Sequence, residues 1–237
     1  VQAAAHVQAD HLELEAPTAV VYGDVDTGSL GCVEGGVVHQ KADSQWVSTG
    51  ALYLDGTDVI VRGLLSGVDV ATVVTADDFI LPSTGEVQGF GGVQLLVGDR
   101  VALYGLLSDL GPVGVSADSL YFDTAAAVEQ VDSLDVDLMG PGDTNWRGDV
   151  LDSGDVDLLT ASLRLQRTAS FTDNGAVTID NSGYLLLAAD FVGNASVAID
   201  TDTWQLSSYA SFVGNGDCSV VGTQLNGRPM VGCTASP

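Results

Sequence analysis

Residues 50–66 read GALYLDGTDVIVRGLLS, and residues 92–108 read GVQLLVGDRVALYGLLS, in register without a gap. Gly56 coincides with Gly98, and both segments end in the same four residues, GLLS. An internal repeat of this length is the signature of a duplicated structural unit. The repeat therefore constrains the fold, although it does not name a chemistry.

Short apolar runs recur throughout and around this repeat. Runs rich in Val, Leu, Ile and Thr are cut by Gly, Asp and Asn every several residues, which is typical of strands joined by turns. The strand candidates are residues 51–54, 58–62, 70–74 and 78–81 in the first copy, and 93–96, 100–104, 113–116 and 119–122 in the second. We therefore predict an all-β chain in which residues 18–130 form tandem small β-barrel or sandwich modules.

The phrase VGDRVALYGL, from Val97 to Leu106, resembles the small OB-like β-barrel repeats of secreted bacterial proteins. In those repeats a Gly-Asp turn leads into a strand that ends at a kinked glycine. The next strand carries an Ala-Asp phrase, like Ala117-Asp118 here. The resemblance covers about residues 20–123 and implies a barrel fold. Such repeats share no single activity, so the resemblance implies no catalytic residues.

The last third of the chain has a shorter period. An Ala-x-Phe phrase occurs at 169–171, 189–191 and 210–212, about twenty residues apart, and two of these phenylalanines begin the phrase FVGN. One strand–turn–strand unit fills about this length. We therefore predict that residues 161–237 form a β-meander of three successive hairpins, with the phenylalanines in its core.

The N-terminal segment, residues 1–17, is predicted to be a separate strand or arm. Its stretch Val7–Glu15 alternates between apolar and polar residues, as a strand with one polar face does. Such a strand can pair within its own sheet, or it can reach the open edge of a neighbouring subunit. The candidate self-assembly residues of this strand are Val7, Ala9, His11, Leu12 and Leu14.

Composition excludes several classes of function. The 237 residues include seven Lys and Arg against 32 Asp and Glu, which gives a net charge of −25, and 46% of the residues are apolar. Such a charge repels nucleic-acid phosphate and anionic lipid, so neither is expected as a partner. The apolar content is too high for a disordered acidic chain. No apolar run reaches the roughly 18 residues that span a bilayer, so we predict no membrane span.

The cysteines and the first residue indicate a compartment. The chain begins with Val1 instead of Met, which we interpret as a mature product whose leader has been removed, with a trimmed chain as the alternative. Three pairings are open to the three cysteines. We favour Cys218–Cys233, which would pin the C-terminus and leave Cys32 either buried and free or paired between chains. A disulfide favours a secreted, extracellular or cell-surface location.

An acidic junction, residues 131–160, separates the two blocks, with the boundary between Gly140 and Gly142. Residues 142–159 resemble a dockerin-type calcium loop, although Arg147 stands where that loop has an acidic ligand. Ca²⁺ needs about six to eight converging oxygen ligands. The resemblance implies Ca²⁺ as the candidate cofactor, bound by Asp143, Asn145, Asp149, Asp152 and Asp155. The alternative is a solvated acidic linker.

The sequence contains no catalytic constellation. No Gly-x-Ser-x-Gly elbow, HExxH, Cys-x-x-Cys or P-loop occurs, and the only histidines are His6, His11 and His39. A glycosidase needs two carboxylates, but with this many aspartates a pair is expected by chance. The tryptophans are candidates either for stacking on sugars or for anchoring a core, and they are Trp46, Trp146 and Trp204.

These observations favour a secreted, non-enzymatic structural protein. We expect a filament, matrix or surface-layer subunit that binds copies of itself by β-edge pairing or strand donation. The first alternative is a calcium-dependent adhesin or glycan-binding module that uses Trp146 or Trp204. The second alternative is a polysaccharide hydrolase with an aspartate pair.

Overall fold

The computed structural model describes residues 6–15, 18–21, 23–33, 36–141 and 144–236. No helix long and apolar enough to cross a membrane is found in these ranges. In chain order the strands are β1 (Val7–Glu15), β2 (Thr18–Val21), β3 (Val25–Val33), β4 (Val37–Gln40), β5 (Gln45–Ser48), β6 (Leu52–Gly56), β7 (Asp58–Val61), β8 (Leu64–Gly67), β9 (Val70–Thr75), β10 (Asp78–Leu81), β11 (Glu86–Gln88), β12 (Gly92–Val97), β13 (Arg100–Leu103), β14 (Leu106–Ala117), β15 (Ser119–Phe122), β16 (Ala127–Leu138), β17 (Thr144–Trp146), β18 (Asp149–Leu151), β19 (Asp155–Thr160), β20 (Leu163–Leu165), β21 (Ser170–Thr172), β22 (Ala176–Leu187), β23 (Asp190–Val192), β24 (Ser196–Leu206), β25 (Ser211–Val213), β26 (Asp217–Gln224) and β27 (Thr234–Ser236).

These strands pair in parallel with strands that occupy the same place one turn later. β7 pairs with β10, β10 pairs with β13, and β13 pairs with β15, each about twenty residues further along the chain. The chain therefore winds as a parallel β-solenoid of about nine turns, counted from Gln45. Since the strands pair with strands of the neighbouring turns, the backbone hydrogen bonds between them run along the solenoid axis.

Each turn passes through three faces that surround one core. Face 1 contains the first parts of β1, β3, β14 and β16, together with β5, β8, β11, β18, β21, β23 and β25. Face 2 contains the later parts of β1, β3, β14 and β16, the first parts of β22, β24 and β26, and β6, β9, β12, β19 and β27. Face 3 contains β2, β4, β7, β10, β13, β15, β17 and β20, and the last parts of β22 and β24.

Inward side chains form continuous columns, because alternate residues of a strand point to the same side and the strands stack in register. One column of face 1 reads Trp46, Leu65, Val87, Leu107, Val128, Val150, Phe171, Phe191 and Phe212, all of them buried. The ring centroids of Phe171 and Phe191 lie 5.0 Å apart, and those of Phe191 and Phe212 lie 5.1 Å apart, with nearly parallel planes. The period of the phenylalanines is thus the period of the turns.

The structure confirms an all-β chain but not the predicted arrangement of its strands. Residues 18–130 wind as consecutive turns, so tandem barrels or sandwiches are not confirmed. The hairpins predicted for residues 161–237 are not formed, because β21, β23 and β25 pair in parallel one turn apart. A twenty-residue period fits either a hairpin or one turn of a solenoid. The alternation of apolar and polar residues is the same in both, which is why the sequence pattern did not separate them.

The ladders continue through both segments that the sequence sets apart. Across residues 131–160, β14 pairs with β16, and β16 pairs with both β18 and β19. At the N-terminus, β1 pairs with β3 of the same chain, with Val7 in register with Val25 and Leu14 in register with Cys32. Pairing within its own sheet, one of the two alternatives for this strand, is therefore what the structure shows.

An asparagine ladder follows the corner between faces 1 and 2. The phrase FVGN places Gly193 at φ 70° and Gly214 at φ 69°, a backbone conformation that favours glycine. The next residue, Asn194 or Asn215, then turns its amide inward. The Nδ2 of Asn174 donates to the Oδ1 of Asn194 at 3.0 Å, and the Nδ2 of Asn194 donates to the Oδ1 of Asn215 at 2.9 Å. The ladder ties three successive corners together.

The C-terminal tail covers the last turn of the solenoid. Cys218 in β26 forms a disulfide with Cys233, as predicted, and β27 adds a final strand to face 2. The side chain of Asn226 pairs with the backbone of Leu206, donating from Nδ2 to its carbonyl at 2.6 Å. Met230 packs against the core. The tail therefore supplies partners and apolar cover that the next turn would otherwise provide.

Reduction of this disulfide is expected to release the tail locally. The bridge spans 15 residues, and closing a loop of this length stabilises by about 3 kcal/mol in the chain-entropy account. We expect chymotrypsin to cleave after Leu225, an exposed residue inside the disulfide loop, faster in the reduced protein and in the Cys218→Ser/Cys233→Ser variant than in the oxidised protein. Mass spectrometry of a digestion time course measures the rate, and cleavage after Tyr53, which is also exposed but lies far from the tail, serves as the internal control. Equal rates of cleavage after Leu225 would show that the disulfide does not hold the tail.

Candidate functional site

Most of the positively charged side chains lie on one side of the solenoid. All seven Lys and Arg lie within the described ranges, and six of them lie on face 3 or at the corner where face 3 passes into face 1. The seventh, Arg228, is in the tail. Arg100 and Arg164 are on face 3 itself. The four at the corner, which we call the basic edge, are Lys41, Arg62, Arg147 and Arg167.

The register of the face 3 strands places the basic edge at the surface. These strands end on an inward residue, such as Val61 in β7 or Trp146 in β17. The residue after it, Arg62 or Arg147, therefore points outward at the start of the corner. Lys41 follows β4 in the same way, one turn before Arg62. The basic edge thus arises because the residue that follows the last buried residue of a face 3 strand points to the solvent.

Three residues of the basic edge contact uncharged groups. Arg62 contacts the Nε2 atom of His39. Arg147 donates from an Nη atom to the hydroxyl of Tyr121 at 3.3 Å, and its guanidinium carbon lies 5.7 Å from the centre of that ring. The guanidinium carbon of Arg167 lies 5.6 Å from the ring centre of Tyr209. These contacts hold the guanidinium groups without neutralising their charge.

A hydrogen-bonded group of side chains surrounds Arg147. Tyr121 donates from its hydroxyl to Asp123 at 3.0 Å, and this bond, with burial, raises the pKa of Tyr121. Burial alone would raise the pKa of Asp123. The hydrogen bonds that Asp123 accepts from the hydroxyls of Thr124 and Tyr121, and from backbone N–H groups, outweigh it and lower that pKa. Asp123 is therefore charged and Tyr121 neutral at neutral pH, which fixes the ring on which Arg147 rests.

His39 is neutral at physiological pH. Burial, together with the positive charges of Arg62 and Lys41, lowers its pKa to about 4. A neutral imidazole beside Arg62 avoids a third positive charge at this end of the basic edge. His6 is exposed, and the side chain of His11 lies outside the described part of the structure.

We expect His39 to make stability fall as pH falls. Its folded pKa of about 4 lies below the unfolded value of about 6.5, so between these values the unfolded chain binds more protons. The contribution is complete above about pH 6.5 and is lost progressively toward pH 4. Urea midpoints of the wild type and His39→Gln at pH 7.5, 5.5 and 4.5 measure it. The wild type should lose stability relative to the variant as pH falls, and a constant difference would contradict the assignment.

The opposite side of the solenoid is acidic. Face 2, which lies across the core from the basic edge, contains no Lys or Arg. Its exposed aspartates stack in register between neighbouring turns, Asp135 with Asp157 and Asp180 with Asp200. We call these four residues the acidic face. Side chains in such positions are about 4.8 Å apart, so like charges repel.

The structure does not bring the predicted calcium ligands together. Asn145 is on face 3, Asp149 on face 1, Asp152 at the following corner and Asp155 at the start of face 2, while Asp143 lies outside the described residues. Asp149 accepts a hydrogen bond from the Ser170 hydroxyl at 2.6 Å, and Asp155 accepts one from the Ala176 N–H at 2.8 Å. No group of three or more potential metal ligands occurs in the described part of the chain.

The tryptophans do not form sugar-stacking platforms. Trp46, Trp146 and Trp204 are 1%, 2% and 1% exposed, because all three belong to inward columns. Replacing Trp146 or Trp204 would therefore perturb the core and would not report on sugar binding. The prediction of a glycan site at these residues is wrong.

The basic edge and the acidic face were missed from the sequence, although their spacing carried a signal. Lys41 and Arg62 are 21 residues apart, and Asp180 and Asp200 are 20 apart, which is about one turn. Recognising this required knowing that the period is one turn of the solenoid and where the corners of each turn lie.

Comparison with known proteins adds nothing to the site: no family model, no curated protein and no solved structure matches the chain.

Proposed function

We propose that this chain is a secreted, non-enzymatic structural protein that associates with copies of itself, as a subunit of a filament, matrix or surface layer. The observation that supports the proposal is the solenoid itself. Side chains fill its interior, and its outer faces repeat at a constant spacing along the axis. Such a rod offers extended surfaces for association with other copies.

The covered C-terminal turn of the rod favours association through its sides. At the C-terminal end, the tail and the disulfide cover the last turn, so another copy would have to displace them before it could extend the ladders. The groove between the tail and the last turn, about 560 Å³, is lined by apolar residues that include Leu206, Phe212 and Met230. At the other end, β1 already pairs with β3 of its own chain. Strand donation by β1 to another copy stays a prediction.

Self-association is tested on native protein over a range of concentrations. We expect sedimentation velocity in physiological salt, with and without Ca²⁺, to show species larger than a monomer that grow with concentration. Negative-stain electron microscopy of the same samples should show filaments or sheets. A single monomeric species at every concentration and in both conditions would overturn the proposal.

A further inference from the structure

We propose that the basic edge of one copy docks on the acidic face of the next, with the two solenoid axes side by side. This inference rests on the proposed function, because it names the surfaces through which the copies associate. The partner it commits to is a second copy of this chain, and the argument is charge complementarity within a single molecule. One side of the rod has most of the positive charge, and the opposite side has stacked aspartates.

The two surfaces lie at the same height along the axis. Asp135 in β16 and Arg147 after β17 belong to one turn, and Asp157 in β19 and Arg167 after β20 belong to the next. Two copies that lie level with each other therefore bring two arginines opposite two aspartates. Because both surfaces repeat with the spacing of the turns, a match at one turn is also a match at its neighbour. The geometry thus favours docking in register.

The four charged residues that this docking joins form no ion pair with a residue in the described part of the chain. The carboxylates of Asp135 and Asp157 occupy directly neighbouring positions, where like charges are destabilising. Arg147 and Arg167 contact tyrosines, which hold their side chains but do not cancel their charge. Docking would place the arginines of one copy against the aspartates of another and relieve this repulsion. Charge complementarity of this kind fixes register and orientation as well as affinity.

Such a contact does not produce a closed dimer. The basic edge and the acidic face are on opposite sides of the same rod, so a copy that has docked still presents its free acidic face or basic edge. An interface between two different surfaces is heterologous, and when each addition repeats the same shift it builds an open array. The assembly expected from this contact is a layer or ribbon of rods lying side by side.

Charge reversal tests the contact directly. The edge variant is Arg147→Glu/Arg167→Glu, and the face variant is Asp135→Lys/Asp157→Lys. We expect each alone to lower the apparent association constant about tenfold or more, and an equimolar mixture to restore association, because the edge of each variant then complements the face of the other. The face variant also makes the net charge of −25 smaller in magnitude. General repulsion alone would therefore make it associate more strongly than the wild type.

A matched control variant distinguishes an effect of the docking surface from an effect of the net charge. Glu86→Lys/Glu129→Lys makes the same change of charge as the face variant, but on face 1. It should associate at least as strongly as the wild type, because its net charge of −25 also becomes smaller in magnitude. Far-ultraviolet circular dichroism should show that every variant is folded. If the wild type associates and both reversed variants associate equally well, the docking is overturned while self-association stands. An edge variant that assembles normally with Ca²⁺ but not with a chelator would also overturn it, because calcium would then be joining acidic faces. A monomeric wild type would overturn both proposals.

Discussion

Phe191→Ala is expected to lower the free energy of unfolding by about 3–5 kcal/mol, the usual cost of truncating a buried phenylalanine. Phe191 is fully buried and stacks between Phe171 and Phe212, at centroid distances of 5.0 and 5.1 Å. The substitution therefore leaves a cavity in the core and also breaks two ring contacts. Urea unfolding followed by circular dichroism measures the loss.

The position of Phe191 gives this prediction a second readout. Each turn of a solenoid contacts only its neighbours, so stability is close to a sum of local terms. We expect the C-terminal turns of Phe191→Ala to exchange amide hydrogens faster than the turns before Trp146. Val213→Ala removes an apolar side chain that is 59% exposed on the same face, and should cost less than about 0.5 kcal/mol. A loss below about 1 kcal/mol for Phe191→Ala would contradict the role given to the stack.

Asn194→Ala is expected to cost about 3 kcal/mol or more, because it interrupts the asparagine ladder at its centre. The Oδ1 of Asn194 accepts from the N–H and the Nδ2 of Asn174 at 3.1 and 3.0 Å, and its Nδ2 donates to the carbonyl of Phe171 at 2.8 Å. Alanine leaves these groups buried without partners, at about 1–3 kcal/mol each. Urea unfolding again measures the loss.

Two further variants test whether the loss of stability comes from breaking the hydrogen-bond ladder or only from truncating a side chain. Asn194→Asp keeps the acceptor oxygen but loses both donors and buries a charge, so it should also be strongly destabilising. Asn215→Ala, at the half-buried end of the ladder, leaves fewer groups unpaired and should cost clearly less. If Asn194→Ala and Asn215→Ala cost the same, the ladder would not act as a connected unit.

The sequence predicts where the strands lie better than how they pair. The predicted strand at 78–81 is β10, and that at 119–122 is β15, because the alternation of apolar and polar residues is a local signal. The partner of a strand is decided about twenty residues away, and neither composition nor alternation specifies its direction. The clearest missed signal was the repeated phrase FVGN, in which glycine at positive φ turns an asparagine inward at successive corners.

The candidate site was harder to predict than the fold for a related reason. The sequence left two roles open for the tryptophans, stacking on sugars and anchoring a core, and their columns place them in the core. The clustering of aspartates in the junction suggested a calcium loop, but the winding of the chain distributes the described candidate ligands over three faces, with Asn145 on face 3 and the aspartates on faces 1 and 2 and the corner between them. The Cys218–Cys233 pairing, which depends on a short separation within one segment, and the burial of the three periodic phenylalanines were correctly predicted.

The disulfide also decides how the rod responds to mechanical load. Hydrogen bonds between turns lie along the axis, so a pull on the C-terminus would break a ladder one bond at a time, as a zipper opens, beginning with the short pairing of β27 on β26. Once β27 has come away, the load reaches Cys233. Because Cys233 is covalently joined to Cys218, the load then bypasses the chain between these two residues and enters at the start of β26. There it meets a strand held along most of its length by β24, with the side chain of Cys218 packed against the core. The disulfide thus transfers a load on the tail to a strand that is held in the sheet by β24.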